Sequence, residues 1–167
     1  MITVMERKIK AQKEWPFFLA FHDTSYILSH DCKKKVSLHE LGETRTYILH
    51  NNSAKEIVVY KIDGGLIKDN NVLKCDNGIL TEDDWLFLIE LKGADLNHAL
   101  DQINSTIDIL LKRPNKIVKK LNVRIVLSKV SIPRISASKE NKLKQLLFKH
   151  YGGGCYKKQS RILEDIL

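Results

Sequence analysis

The chain predicts an α/β fold built on a central mixed β-sheet, and three observations carry that expectation. Short runs rich in β-branched and aromatic residues, bounded by turn residues, recur between Glu56 and Leu91. An amphipathic stretch follows, with Leu96, Ala99, Leu100, Ile103, Ile107, Leu110 and Leu111 at helical spacing. Then comes Val123-Arg124-Ile125-Val126-Leu127, nearly all apolar, the pattern of a strand covered on both faces. Three strands, a helix and a further strand imply a crossover between parallel neighbours, and such crossovers are right-handed. The expected architecture is a three-stranded meander, a crossover helix and a further strand, flanked by helices. A length of 167 residues suits one domain, 1–167, with its core at about 56–127 and residues 1–50 as an N-terminal elaboration.

Taken in order, Glu6 to Glu14 reads as helical, ended near Pro16. The apolar knot Trp15-Pro16-Phe17-Phe18-Leu19-Ala20-Phe21 is expected to pack on the core. Lys33-Lys34-Lys35 reads as a solvated loop. Ser37 followed by Glu40 matches a capping box, which predicts a short helix around His39 to Arg45. Asn51-Asn52-Ser53 is a turn. The first strand of the meander, Glu56 to Ile62, ends at Asp63-Gly64-Gly65. After a turn at Asn70-Asn71 the second strand is expected over Val72 to Leu80, then an acidic turn, Glu82-Asp83-Asp84, and the third strand, Trp85 to Leu91. Gly93 breaks that strand, Asp95 is placed to cap the amphipathic helix, and Pro114 follows its end near Lys112. A second helix is expected from about Ser138 to His150, stopped by Gly152-Gly153-Gly154. The tail, Tyr156 to Leu167, fits an edge strand or a short helix. No internal repeat and no disordered linker is visible.

Composition narrows the function classes. Hydrophobic residues make up 43% and charged residues 29%, which fits a globular chain. No apolar run reaches the roughly 20 residues that span a bilayer, and Met1 to Lys13 lacks the apolar core of a secretory signal, so a cytoplasmic location is expected. Twenty-eight Lys and Arg against 20 Asp and Glu give a net charge of +8, which favours polyanionic partners. Cys32, Cys75 and Cys155 form no Cys-x-x-Cys pair, so free thiols are expected, with Cys75 buried.

Chemistry concentrates in one constellation. Asp76 stands fourteen residues ahead of Glu90-Leu91-Lys92, which ends an apolar strand. Residues two apart in a strand point to one face, so Glu90 and Lys92 project together. Two carboxylates and an ammonium at a sheet edge suit a divalent metal held against a phosphodiester. Glu-x-Lys by itself is common, and its plain reading is an exposed ion pair. The position after an apolar strand, the preceding Asp and the helix behind give it weight.

This order of Asp, Glu-x-Lys and helix resembles the PD-(D/E)xK nuclease superfamily, with Cys75 where a Pro is usual. The resemblance covers about residues 56–127 and implies a restriction-endonuclease-like core. It implies that Asp76 and Glu90 bind Mg²⁺, with Mn²⁺ as a substitute, and that Leu91 lends its carbonyl to the same metal. Lys92 would orient or help deprotonate the attacking water. Gln102 fits a glutamine often found on the following helix, with His98 one turn earlier. Glu40 or Glu43 fits a further acid that often precedes the first strand, and Asp63 either faces the cleft or shapes its turn. The expected activity is a Mg²⁺-dependent endonuclease hydrolysing phosphodiesters, in DNA rather than RNA. The alternative is a non-catalytic nucleic-acid-binding or partner-binding protein on the same fold. The basic stretches Lys112 to Lys120 and Lys139 to Lys149 either grip a phosphate backbone or form solvated faces. Gly152 to Gly154 lacks the Gly-Lys-Ser/Thr ending of a P-loop, so a turn is expected there. So short a chain suits structure-selective or non-specific cleavage, and cutting both strands of a duplex calls for a homodimer or two binding events.

Overall fold

A computed structural model describes residues 15–111, 117–129 and 134–167. The helix expected over Glu6 to Glu14 lies outside these residues. In chain order the elements are α1 (Pro16–Ala20), β1 (Ile27–Asp31), β2 (Lys35–His39), β3 (Thr46–His50), β4 (Ile57–Lys61), β5 (Asn77–Thr81), β6 (Trp85–Lys92), α2 (Leu96–Leu111), β7 (Lys120–Leu127), α3 (Arg134–His150), β8 (Tyr156–Ser160) and β9 (Ile162–Ile166).

A six-stranded mixed sheet runs in the order β1-β4-β5-β6-β7-β8, and β2-β3-β9 forms a second sheet. The meander is present: β4 pairs antiparallel with β5, and β5 with β6. After β6 the chain crosses over through α2, and β7 lies parallel to β6 from Trp85↔Lys120 to Lys92↔Leu127. β8 continues the sheet in parallel beyond β7.

Side-chain alternation divides the strands between two cores. Leu86 and Leu88 of β6, with Val123, Ile125 and Leu127 of β7, pack against α2, α3 and the apolar knot around Trp15 and Phe17. Phe87, Ile89 and Leu91 of β6, with Val126 of β7, face Tyr47, Leu49 and Leu163 of the small sheet. One face of the large sheet is therefore covered by helices and the other by strands, which corrects the expectation of helices as the only flanking layers. α2 buries Leu96, Ala99, Leu100, Ile103, Thr106, Ile107, Leu110 and Leu111. Each large aliphatic side chain so buried contributes about 1.5–3 kcal/mol.

Several expectations change for identifiable reasons. The capping box at Ser37 does not open a helix. Val36 and Leu38 alternate with exposed Lys35, Ser37 and His39, so the segment satisfies a strand's two-residue period, and β2 pairs with β3 from Lys35↔His50 to His39↔Thr46. The meander's second strand begins at Asn77, because the backbone before it is bonded elsewhere: the Cys75 N–H donates to Thr106 Oγ1 at 2.9 Å. The tail forms two strands. Arg161, at φ 66, turns the chain from β8 in the large sheet to β9 in the small one, where β9 lies parallel to β3. The glycine triplet is a helix-ending turn seated on β7. Gly152 and Gly153 have φ of 67 and 71, and a Cβ on Gly154 would lie 1.7 Å from the Leu121 carbonyl oxygen. Among the described residues no helix is long and apolar enough to cross a membrane.

Candidate active site at the end of strand β6

The site is built where β6 ends and α2 begins. Glu90 and Lys92 share the β6 face of Leu86 and Leu88, the face that meets α2, while Leu91 lies on the opposite face with Phe87 and Ile89. The β5–β6 register pairs Asn77 with Ile89, and one further step sets Asp76 across from Glu90. Asp76 is tied to β6 directly: its Oδ2 accepts the Leu91 N–H at 2.7 Å. Its carbonyl accepts the Ile62 N–H at 2.9 Å, which fixes the segment to the chain leaving β4.

α2 holds the chain ahead of Asp76 through two polar side chains. Gln102 Nε2 donates to the Lys74 carbonyl at 2.9 Å. Thr106 accepts the Cys75 N–H and donates its own hydroxyl to the Gln102 carbonyl at 2.8 Å. Lys74 is itself buried, its ammonium bonded to the Asp69 carbonyl at 2.8 Å and lying 3.5 Å from Asp63 Oδ1. The helix begins where Asp95 Oδ1 accepts the His98 N–H at 2.9 Å, the capping role expected for Asp95.

The electrostatics of the pair are unusual. Glu90 is only 1% exposed, and its Oε2 has no hydrogen-bond partner among the described residues. Burial, and then the neighbouring Asp76 charge, push the Glu90 carboxyl up to about 9, with Lys92 and the Asp76 N–H acting the other way. Burial also lifts Asp76 to about 6; Glu40 and Asp63 add to the rise, while the Leu91 N–H and Lys92 oppose it. Lys92 thus lies within electrostatic reach of both carboxylates. Cys75, fully buried between them and Thr106, has its thiol pushed up chiefly by burial and then by Glu90.

Of the expected acids outside the motif, Glu40 is the one whose charge reaches both Asp76 and Glu90. It lies on the loop between β2 and β3, where Arg45 Nη2 is 3.6 Å from Glu40 and 3.2 Å from Glu43. Arg45 also borders the β6 terminus, with Nη1 3.7 Å from where a Gly93 Cβ would be. Among the described residues, the buried side-chain atoms without a hydrogen-bond partner include four that belong to β6, to α2 or to Arg45: Glu90 Oε2, Gln102 Oε1, Asn97 Oδ1 and Arg45 Nε.

No family model, curated protein or solved structure matches this chain.

Asp76 and Glu90 offer the hard oxygen donors that Mg²⁺ takes, and the unpartnered Glu90 oxygen fits that use. Among the described residues no group of three or more His, Cys, Asp or Glu side chains is close enough to enclose a metal, so a cation held here would keep much of its coordination for water or substrate. Sequence reasoning missed Lys74, Thr106 and Arg45. Thr106 had a signal, since with Gln102 it forms an i, i+4 polar pair on a helix whose inner face is otherwise apolar. Arg45 had none, because its place depends on how the two sheets stack.

Proposed function

We propose that this chain is a metal-dependent nuclease hydrolysing phosphodiester bonds, foremost in DNA. One observation carries the reading: buried Glu90 paired with half-buried Asp76 at the end of β6, with a Glu90 oxygen left unpartnered and Lys92 on the same face. Two like charges held close, one of them buried, raise each other's proton affinity, and a cation between them relieves both. Asp76 and Glu90 would hold Mg²⁺, whose charge lowers the pKa of a water and stabilises the pentacoordinate phosphate. Lys92 orients the attacking water and stabilises the charge that develops on the phosphoryl oxygens. Gln102 and Thr106 act one step back, by fixing the backbone that carries Asp76.

The test is cleavage of labelled single strand, duplex, flap, four-way junction and RNA with Mg²⁺, Mn²⁺ or EDTA. Metal-dependent cutting is expected, reduced about 100-fold or more in Lys92→Ala, the scale of losing one preorganised charge-stabilising group. Wild-type rates in both Lys92→Ala and Glu90→Gln would overturn the proposal. Salt-sensitive binding without cleavage under either metal would favour the non-catalytic nucleic-acid-binding alternative.

A further inference from the structure

The loop from Glu40 to Arg45 joins two short strands and carries an apolar side chain at its tip. The Glu43 N–H donates to the Glu40 carbonyl at 3.1 Å, and Gly42 has φ +80, the pattern of a type II turn with Leu41 at its second position. Nothing in the turn calls for a leucine there, since that position favours proline and tolerates most residues. Leu41 is 101% exposed, the most exposed of the large hydrophobic residues described. A single exposed leucine has no meaning by itself. Its setting gives it one. The loop is backed by five β2–β3 residue pairs and by Arg45, which forms ion pairs with Glu40 and Glu43 and borders Gly93 at the end of β6. Glu40, directly before Leu41, reaches Asp76 and Glu90 electrostatically. The loop with this apolar tip is therefore tied through Arg45 to Gly93, the residue that follows Lys92 at the end of β6.

We infer that Leu41 is a wedge that enters the base stack of the nucleic acid bound at the Asp76/Glu90 site, an inference that rests on the nuclease reading. Leucine is among the side chains that kinking proteins insert between base steps. One aliphatic side chain flanked by acids is too small for a membrane anchor, which needs a broad apolar face and cations, and too isolated for a protein hot spot. Between the two phosphate chains of a duplex it meets bases, its apolar match, and Arg45 neutralises part of the charge of Glu40 and Glu43. The wedge makes the substrate class duplex whose stacking is weak or interrupted, such as flaps, mismatches and junction arms, because such sites cost least to unstack.

The experiment is binding in EDTA, without chemistry, to duplexes carrying 2-aminopurine at successive positions, read by anisotropy and by 2-aminopurine emission at saturating protein. Wild type is expected to raise the emission several-fold at one or two adjacent positions. Leu41→Ala should bind without that rise, and Leu41→Phe should restore it. Equal emission in wild type and Leu41→Ala on the same bound duplex overturns the wedge and leaves the nuclease reading intact. Failure of wild type to bind any nucleic acid overturns both. Leu41 is fully exposed, so its replacement is not expected to alter folding, and unchanged circular dichroism checks this.

Discussion

Replacing Glu90 by Gln makes a prediction whose sign depends on pH. In the metal-free protein Glu90 is held protonated up to about 9, against an ordinary value of 4.5. A carboxyl raised in the folded state contributes stability that is fully present below 4.5 and is lost as pH rises toward 9. At pH 7.5 the unfolded chain gains from ionising Glu90 and the folded chain does not. At about 1.4 kcal/mol per pH unit, the roughly three units between 4.5 and 7.5 amount to about 4 kcal/mol. Gln removes that linkage and keeps the shape. It also places an amide N–H₂ where Oε2 has no partner, at a cost of about 1–3 kcal/mol. The variant should therefore be less stable than wild type by about 1–3 kcal/mol at pH 4 and more stable by a similar amount at pH 7.5, with the curves crossing between. Urea unfolding in EDTA from pH 4 to 9 measures this directly. Adding Mg²⁺ should raise the wild-type midpoint above its EDTA value and leave the variant where it was. A difference between the two proteins that is constant across the pH range would refute the account of Glu90 as a buried acid coupled to Asp76.

Three further outcomes are expected. Arg124→Met breaks a buried cluster in which Arg124 Nε donates to Asp165 Oδ2 at 2.5 Å, Tyr47 donates to the same oxygen and Lys157 to the other. It should destabilise by about 3–5 kcal/mol in urea unfolding, with Asp165→Leu added to it recovering much of the loss. Thr106→Val leaves the buried Cys75 N–H without its acceptor; a loss of about 1–3 kcal/mol is expected, with a fall in cleavage rate even where the variant is fully folded. Gly154→Ala places a methyl group against the Leu121 carbonyl oxygen, 1.7 Å away, and should lower the thermal midpoint far more than Gly153→Ala, where nothing lies within 4 Å.

The middle of the chain was legible because its strands are short, nearly continuous apolar runs and its helix keeps one apolar period along its length. β4, β6, α2 and β7 are read from residues in direct succession, and Glu90, Lys92 and Gln102 ride on them, while Asp76 stands just ahead of β5, outside the strand expected to carry it. The first fifty residues were not legible for a physical reason. Val36-Ser37-Leu38 offers only two buried positions, and the same letters contain a Ser-x-x-Glu pattern that fits a helix start. What decides for a strand is pairing with Thr46 to His50 and cover from the other sheet, which are long-range. The tail shows the same limit: Ile162 to Ile166 become a strand because β3 lies beside them, a contact across more than a hundred residues. Which of Glu40 and Glu43 has its charge reach Asp76 and Glu90 was likewise undecidable in sequence, since it depends on how the β2–β3 loop meets the end of β6.

The two faces of β6 have separate tasks, and this explains how the acid pair is kept in place. Phe87, Ile89 and Leu91 lock the strand against the small sheet, and Leu86 and Leu88 lock it against the helices, so the register is set by five apolar side chains on both sides. A slip of one residue would exchange the faces, driving Glu90 and Lys92 into the apolar layer and Leu91 into the site. On the opposing segment the work falls to backbone groups: the Lys74 carbonyl, the Cys75 N–H and the Asp76 carbonyl are each bonded to Gln102, Thr106 or Ile62. Most of the bonds that position the acids therefore do not involve their carboxylates. One Asp76 oxygen is committed to Leu91 and one Glu90 oxygen to nothing among the described residues, so ligand capacity remains at a site whose geometry is already fixed. Such a site can lose its charge, as in Glu90→Gln, and keep its shape, which is why the stability and activity of that variant should move in opposite directions at neutral pH.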